Sequence, residues 1–272
     1  MVAASVAGCG AHDAPAPGPS LAVGSGPTKE SALLAELYAA ALRYFGTATR
    51  VQAQSDPVAA LDSGAVTVAP GFTGRLLAHF APHPSARADE QVYRELISVL
   101  PEGVAAADYT ASAQDKPAAV VTSATATAWD GRDISALPSH CNGVRVGVVT
   151  GAGAPSRVGD CALPPAREYQ DAASLFEALK QGAVTLAWTS TASPAPSSDL
   201  VVLTDKTSLV RAENVVPLYR RNLLSEQQVL ALNGIAGELD TATLMDMVKQ
   251  VDGGADPAAV AGAWIAQHPL DH

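Results

Sequence analysis

Among the side chains able to do chemistry, His79 and His83 stand four apart, the spacing that aims two imidazoles from one helix face at a metal ion. Pro82 lies between them and prevents one helix from carrying both, so the pair is not read as a metal site. Gly151-Ala152-Gly153 follows an apolar run and has the outline of a dinucleotide loop. Ser156 holds the place of its third glycine and no clean helix begins there, which leaves a plain loop. No GxSxG elbow and no P-loop is present, and no Asp/Glu pair is singled out as a general acid and base, so nothing specific supports an enzyme. Cys141 and Cys161 have no CxxC partner and no nearby histidine except His140, which makes a zinc site a weak reading; a disulfide and two reduced thiols both remain open.

These residues must be positioned by the elements around them. Residues 21–23 form a short β-type run that ends in Gly24-Ser25-Gly26-Pro27, and residues 29–45 follow with Leu33, Leu34, Leu37, Ala41, Leu42 and Phe45 at helical spacing. A second helix is predicted over 56–63, with Asp56 as cap, Pro57 in the first turn and Gly64 beyond the end. Residues 65–69 read as a buried strand and 72–80 as a helix. The same rhythm returns with strands at 118–121 and 144–149, a helix over 172–180, and strands at 184–188 and 200–203. Three helices close the chain, over 225–239, 241–251 behind a threonine cap, and 256–267 with Pro257 in the first turn. Alternation of this kind predicts an α/β architecture with largely parallel sheets.

A length of 272 residues allows two domains or one large one. With 17 Lys and Arg against 27 Asp and Glu, the formal net charge is −10, which argues against a surface for nucleic acid or anionic lipid. Hydrophobic residues make up 48% of the chain, yet its apolar stretches, such as residues 144–154, fall short of the ~18 that span a bilayer. The first twenty residues are small, apolar and then rich in Ala, Pro and Gly, too poor in large apolar groups to repay ordering, and read as a tether. Val6-Ala7-Gly8-Cys9 resembles the end of a bacterial lipoprotein signal, in which Cys9 becomes the lipidated first residue. If Cys9 carries lipid, Cys141 and Cys161 are the remaining pair in an exported chain and a disulfide is favoured, with a loop-closure contribution of about 3 kcal/mol.

A family resemblance goes further than these motifs. Val23-Gly24-Ser25 with Glu30-Ser31, and then the block from Gly64 through Val68-Ala69-Pro70-Gly71-Phe72-Thr73-Gly74, resemble substrate-binding proteins of glycine betaine/carnitine/choline (osmoprotectant) ABC importers. The resemblance continues in Gln114-Asp115-Lys116-Pro117, in Ala178-Leu179-Lys180-Gln181-Gly182, in Asp199-Leu200-Val201-Val202-Leu203 and in Asn214-Val215-Val216-Pro217-Leu218, and it closes on Leu239-Asp240-Thr241 and Asp256-Pro257. It implies a two-lobe, type II periplasmic-binding-protein-like clamp with a hinge between the lobes. Residues 21–116 and 209–272 would form a discontinuous first lobe and 117–208 the second. It also implies an extracytoplasmic solute receptor held to the membrane by lipid alone. Such a receptor is a monomer without cofactor that serves an importer permease and, through it, ATPase subunits.

The ligand residues implied by the resemblance are Ser25, Lys29, Phe72, Thr73, Asp115, Arg157, Trp188, Thr189, Thr191, Glu213 and Asn214. In the family, aromatic rings box a quaternary ammonium by cation–π attraction while a Lys and an Arg hold the carboxylate. Phe72 matches one ring, Trp188 stands near another, and Arg157 falls at the arginine. Gly26 replaces the early lysine, with Lys29 three residues on; Pro117 replaces one tyrosine, and Glu213 beside Asn214 replaces another. Losing two rings, at ~0.5 to 2 kcal/mol each, weakens a trimethylammonium ligand by roughly one to three powers of ten. The same scaffold retuned to a hydroxylated or aromatic solute is the alternative, and an α/β enzyme a more distant one.

Overall fold

The structure, a computed structural model, describes residues 20–150, 152–193 and 196–270. The chain opens with β1 (Leu21–Ser25), α1 (Lys29–Tyr44), β2 (Thr49–Ala53), α2 (Pro57–Ser63), β3 (Val68–Phe72), α3 (Thr73–Phe80), α4 (Asp89–Val99) and β4 (Val104–Ala106). Local chemistry sets the helix ends. The Thr28 hydroxyl accepts from the Ser31 amide, the Asp56 carboxylate accepts from the amides of Val58 and Ala59, and Gly64 ends α2 at φ +80°, where a side chain would be strained. The chain then builds β5 (Pro117–Thr122), α5 (Ser123–Ala128), a 3-10 helix (Ile134–His140), β6 (Val146–Val149), a small hairpin of β7 (Arg157–Val158) and β8 (Cys161–Ala162), β9 (Arg167–Tyr169), α6 (Ala172–Lys180), β10 (Leu186–Ser190) and β11 (Leu200–Val202). It returns through β12 (Val215–Arg220) and ends in α7 (Glu226–Glu238), α8 (Thr241–Asp252) and α9 (Pro257–Gln267).

Two five-stranded sheets result, in the orders β2-β1-β3-β12-β4 and β11-β5-β10-β6-β9, one for each lobe of a type II clamp. The expectation of largely parallel sheets is corrected here. β1 pairs in parallel with β2 and β3, and β6 with β10 and β9. β12 runs antiparallel to β3 and β4, and β5 antiparallel to β10 and β11. A parallel pair needs a crossover within its own lobe, whereas β12 enters the first sheet from the other lobe and is free of that constraint.

The first lobe closes over α1, whose Leu33, Leu34, Leu37, Tyr38 and Leu42 are fully buried and which packs against α7, α8 and α9. A helix apolar nearly all round has to lie inside. The second lobe has its own cores, one of them around Ile134, Leu137 and Trp188. There a Cys141–Cys161 disulfide ties the end of the 3-10 helix to β8, so the pair is oxidised. Cys9 and the tether before Ser20 lie outside the described residues.

Some boundaries differ from the pattern reading. The strand expected at 65–69 is β3, three residues later, and the one expected at 184–188 is β10. The α8 cap is Asp240, which accepts from the Thr243 amide, because the Thr241 hydroxyl is used elsewhere: it donates to the Ser112 carbonyl and accepts from the Gln114 amide. The pattern did not single out α4, which buries only Val92 and Leu96 beneath a charged face.

Candidate functional site

Two extended segments join the lobes, residues 114–116 going out and 205–214 coming back. They touch through an antiparallel bridge between Gln114 and Asn214 and a hydrogen bond from the Asp115 amide to the Glu213 carbonyl (2.9 Å). Thr191, just past β10, ties the second lobe to the outgoing segment. Its hydroxyl donates to the Gln114 carbonyl (2.9 Å) and accepts from the Lys116 amide (3.0 Å). Lys116 Nζ meets Asp205 Oδ2 at 2.8 Å, and the same carboxylate accepts from the amides of Leu209 and Val210. Ion pair and backbone bonds together hold the two segments in one register at the hinge.

Beside this hinge lies a cleft of about 1030 Å³ lined from both lobes. The first lobe and the returning segment supply Arg75, Arg87, Arg211 and Glu213, the outgoing segment Asp115, and the second lobe Arg157, Gln170, Trp188, Thr189 and Ser190. A side cavity of about 310 Å³ shares Asp115, Ser190 and Ser193 with it and reaches Lys29, Glu30 and Asp252. Trp188 is 1% exposed, and its indole Nε1 has no hydrogen-bond partner among the described residues.

Carboxylates gather around Arg75. Its Nη2 lies 2.8 Å from Asp115 Oδ2, its Nη1 3.5 Å from Glu30 Oε2, and its guanidinium covers the Phe72 ring at 4.4 Å from the centroid. Glu213 sits at the start of α3, where its carboxylate accepts from the amides of Gly74 and Arg75. That approach requires a glycine: a Cβ on residue 74 would stand 2.5 Å from the Ala212 carbonyl oxygen and 2.7 Å from Glu213 Oε1. Burial pushes the Glu213 carboxyl up to about 7, against the pull of the α3 amides and of Arg75 and Arg211. Burial and then the neighbouring Asp115 carboxylate push Glu30 up to about 7 as well, with Arg75 opposing.

Of the ligand residues implied by the sequence, Asp115, Arg157, Trp188, Thr189 and Glu213 line the cleft, and Lys29 lines the side cavity, where its Nζ donates to the Asp252 carbonyl (3.1 Å). The others have structural duties. Phe72 is 5% exposed, packed in the first lobe's core and covered by Arg75. Thr73 and Asn214 bond each other: the Thr73 amide donates to the Asn214 carbonyl (2.9 Å), and the Asn214 amide to the Thr73 hydroxyl (3.0 Å). The Asn214 side-chain amide donates to the carbonyls of Thr110 and Ala111. Thr191 is spent at the hinge, and Ser25 is buried at the end of β1, where its carbonyl accepts from the Gln54 amide. Sequence reasoning missed Arg75, Glu30, Arg87 and Arg211. Glu30 stands within the Glu30-Ser31 match and Arg75 directly follows the block that ends at Gly74, so both had a local signal; Arg87 and Arg211 reach the cleft only through the fold.

The chain matches the family model for the substrate-binding domain of ABC-type glycine betaine transport systems over residues 19–267. No curated protein matches it significantly in sequence. Among solved structures it is similar to apo YehZ from Escherichia coli (19% identity over 93% of this chain and 99% of that one, TM-score 0.68) and to a glycine betaine/carnitine/choline ABC transporter protein (16% identity, 92% and 98%, TM-score 0.72). It is also similar to lactococcal OpuAC closed on glycine betaine (15% identity, 92% and 96%, TM-score 0.53). The chain belongs to the substrate-binding family of glycine betaine type ABC transport systems, a family of solute-binding proteins that work with importers.

Proposed function

We propose that this member of the family is an extracytoplasmic receptor that closes its two lobes on a small hydroxylated solute and delivers it to an importer permease and its ATPase subunits. Residues 21–116 with 209–272 and residues 117–208 are the lobes of the clamp, and Cys9, when lipidated, is its membrane anchor. Arg75 carries the ligand reading: its guanidinium covers the Phe72 ring, while Pro117 and Glu213 border the cleft where the resemblance expects rings. Trp188 is left as the one aromatic ring among the described lining residues of the main cleft. One almost wholly buried ring among hydroxyls, amides and guanidiniums suits hydrogen bonding better than a cage for a bare quaternary ammonium. A second reading, glycine betaine itself, is favoured by the family's description and by Arg157 at the cleft.

Closure requires a ligand that touches both lobes at once, so it reads out as compaction. Small-angle scattering of ligand-stripped, refolded protein, titrated with pools of neutral, cationic, zwitterionic and anionic polar metabolites, tests the receptor reading. A smaller radius of gyration with any pool supports it, and an unchanged radius with all of them refutes it.

A further inference from the structure

The cleft's charges are unevenly compensated. Each carboxylate on its wall has a partner: Asp115 pairs through Oδ2 with Arg75, its Oδ1 being buried without a hydrogen bond among the described residues, Glu213 takes the first amides of α3, and Asp171 the Ser174 amide at the start of α6. Three of the four arginines form no ion pair among the described residues, although Arg211 lies near enough to Glu213 to feel its carboxylate. Arg87 donates through Nη1 to the Leu209 carbonyl (2.8 Å), Arg211 through Nε and Nη2 to the carbonyls of Ala86 and Pro84 (3.1 and 2.7 Å), and Arg157 through Nη1 to the Asp160 carbonyl (3.1 Å). None of the three has a carboxylate within 4.0 Å among the described residues. Backbone carbonyls orient these guanidiniums without cancelling their charge, and each keeps free N–H donors for a further acceptor.

Their placement is shared between the lobes. Arg87 and Arg211 sit on adjacent segments of the first lobe's side, linked by the Ala212 amide donating to the Arg87 carbonyl (2.8 Å). Arg157 is on β7 of the second lobe, in the hairpin whose Gly159 faces Leu209, the residue that takes Arg87's hydrogen bond. A chain of net charge −10, with 17 cationic side chains in all, thus lines the cleft between its lobes with four arginines and no lysine among the described residues.

We propose that the solute carries a net negative charge: a hydroxylated oxyanion, carboxylate or phosphate ester, whose acid group is held between Arg87 and Arg211 on one lobe and Arg157 on the other. This rests on the receptor reading above and names the class of its ligand. An acid group bridging guanidiniums from both lobes makes the contact that only the closed form offers, and forked guanidiniums recognise planar or tetrahedral oxyanions bidentately. A cation such as choline meets uncompensated positive charge at the same place.

Calorimetry on the refolded full chain with glucose, gluconate, glucose 6-phosphate, glycine betaine and choline tests this. Binding of gluconate or glucose 6-phosphate about tenfold or more tighter than glucose, weakening as salt rises, is the expected result, and the stronger acid tells carboxylate from phosphate. Arg87 and Arg211 brace backbone and their loss risks the fold, so Arg157→Gln, on an exposed hairpin, is the variant of choice; it is expected to weaken the acid about tenfold at unchanged melting temperature. The inference fails if neither acid binds, if glucose, betaine or choline binds as tightly as the acids, or if Arg157→Gln leaves acid affinity unchanged. Each of these leaves the receptor reading standing wherever compaction with another pool is seen.

Discussion

Arg75 and Asp115, both on the wall of the cleft, form an ion pair of 2.8 Å, with Asp115 only 7% exposed and the arginine half open to solvent. The same guanidinium lies flat over Phe72, so one side chain both neutralises a buried acid and covers the ring that a trimethylammonium group needs. Arg75→Ala therefore leaves Asp115 and Glu30 facing each other without a counter-charge. A loss of about 1–3 kcal/mol is expected in urea unfolding, with much of it recovered in Arg75→Ala/Asp115→Asn, because breaking a pair costs more than removing both members.

Glu30 and Glu213, both at about 7, give the stability a pH dependence of definite sign. Their folded values lie above the ordinary 4.5, so the folded protein holds protons that the unfolded chain has released. Stability from these groups is full below pH 4.5 and falls as pH rises from about 4.5 to 7, by up to about 1.4 kcal/mol per pH unit for each. Asp133 acts oppositely in a lower window: burial raises it, but bonds from Ser135 and Thr204 prevail and hold it at about 2, so its contribution is lost only as pH drops below about 4. Thermal melts across pH should peak on the acid side, and Glu30→Gln should flatten the decline toward pH 7.

At the hinge, Asp205→Ala is expected to cost more than Lys116→Met. The aspartate removal strands a nearly buried ammonium and two backbone amides, those of Leu209 and Val210, whereas the lysine removal leaves a carboxylate that both amides still satisfy. About 3–5 kcal/mol is the expected loss for Asp205→Ala, read from chemical unfolding.

Gly74→Ala places a methyl group against the Ala212 carbonyl, which is backbone, and the Glu213 carboxylate, which the Arg75 amide holds in place. Destabilisation by about 1–3 kcal/mol and weaker solute binding are expected together, since the returning segment that carries Arg211 and Glu213 has to shift.

Trp188 reports on the cleft. Trp129 stacks on His140 and Trp264 on His268, and neither lines the cleft among the described residues. A change in tryptophan emission on ligand binding should therefore vanish in Trp188→Phe and survive in Trp264→Phe.

Much of the fold was legible because its signals are local. Asp56, Pro57 and Gly64 bracket α2, Pro57 and Pro257 mark first turns, and the apolar residues of α1 stand at helical spacing. Strand direction was not legible, because whether β12 runs with or against β3 depends on which lobe the chain arrives from, and no residue within β12 encodes that. The site divided in the same way. Asp115 lies in a block whose order along the chain carries the family pattern, Arg157, Trp188 and Glu213 stand at or near positions the resemblance assigns to ligand groups, and all four reach the cleft. Phe72 lies in such a block too, but whether its ring faces a ligand or a guanidinium is settled by Arg75, three residues on, whose direction depends on Asp115 some forty residues away. By itself the sequence determined the family, the α/β elements and an acidic chain. That three arginines without an ion pair among the described residues line one cleft belongs to the tertiary structure alone, since Arg87, Arg157 and Arg211 reach it only when two crossing segments bring distant parts of the chain together, and ion pairing is a property of distances in space.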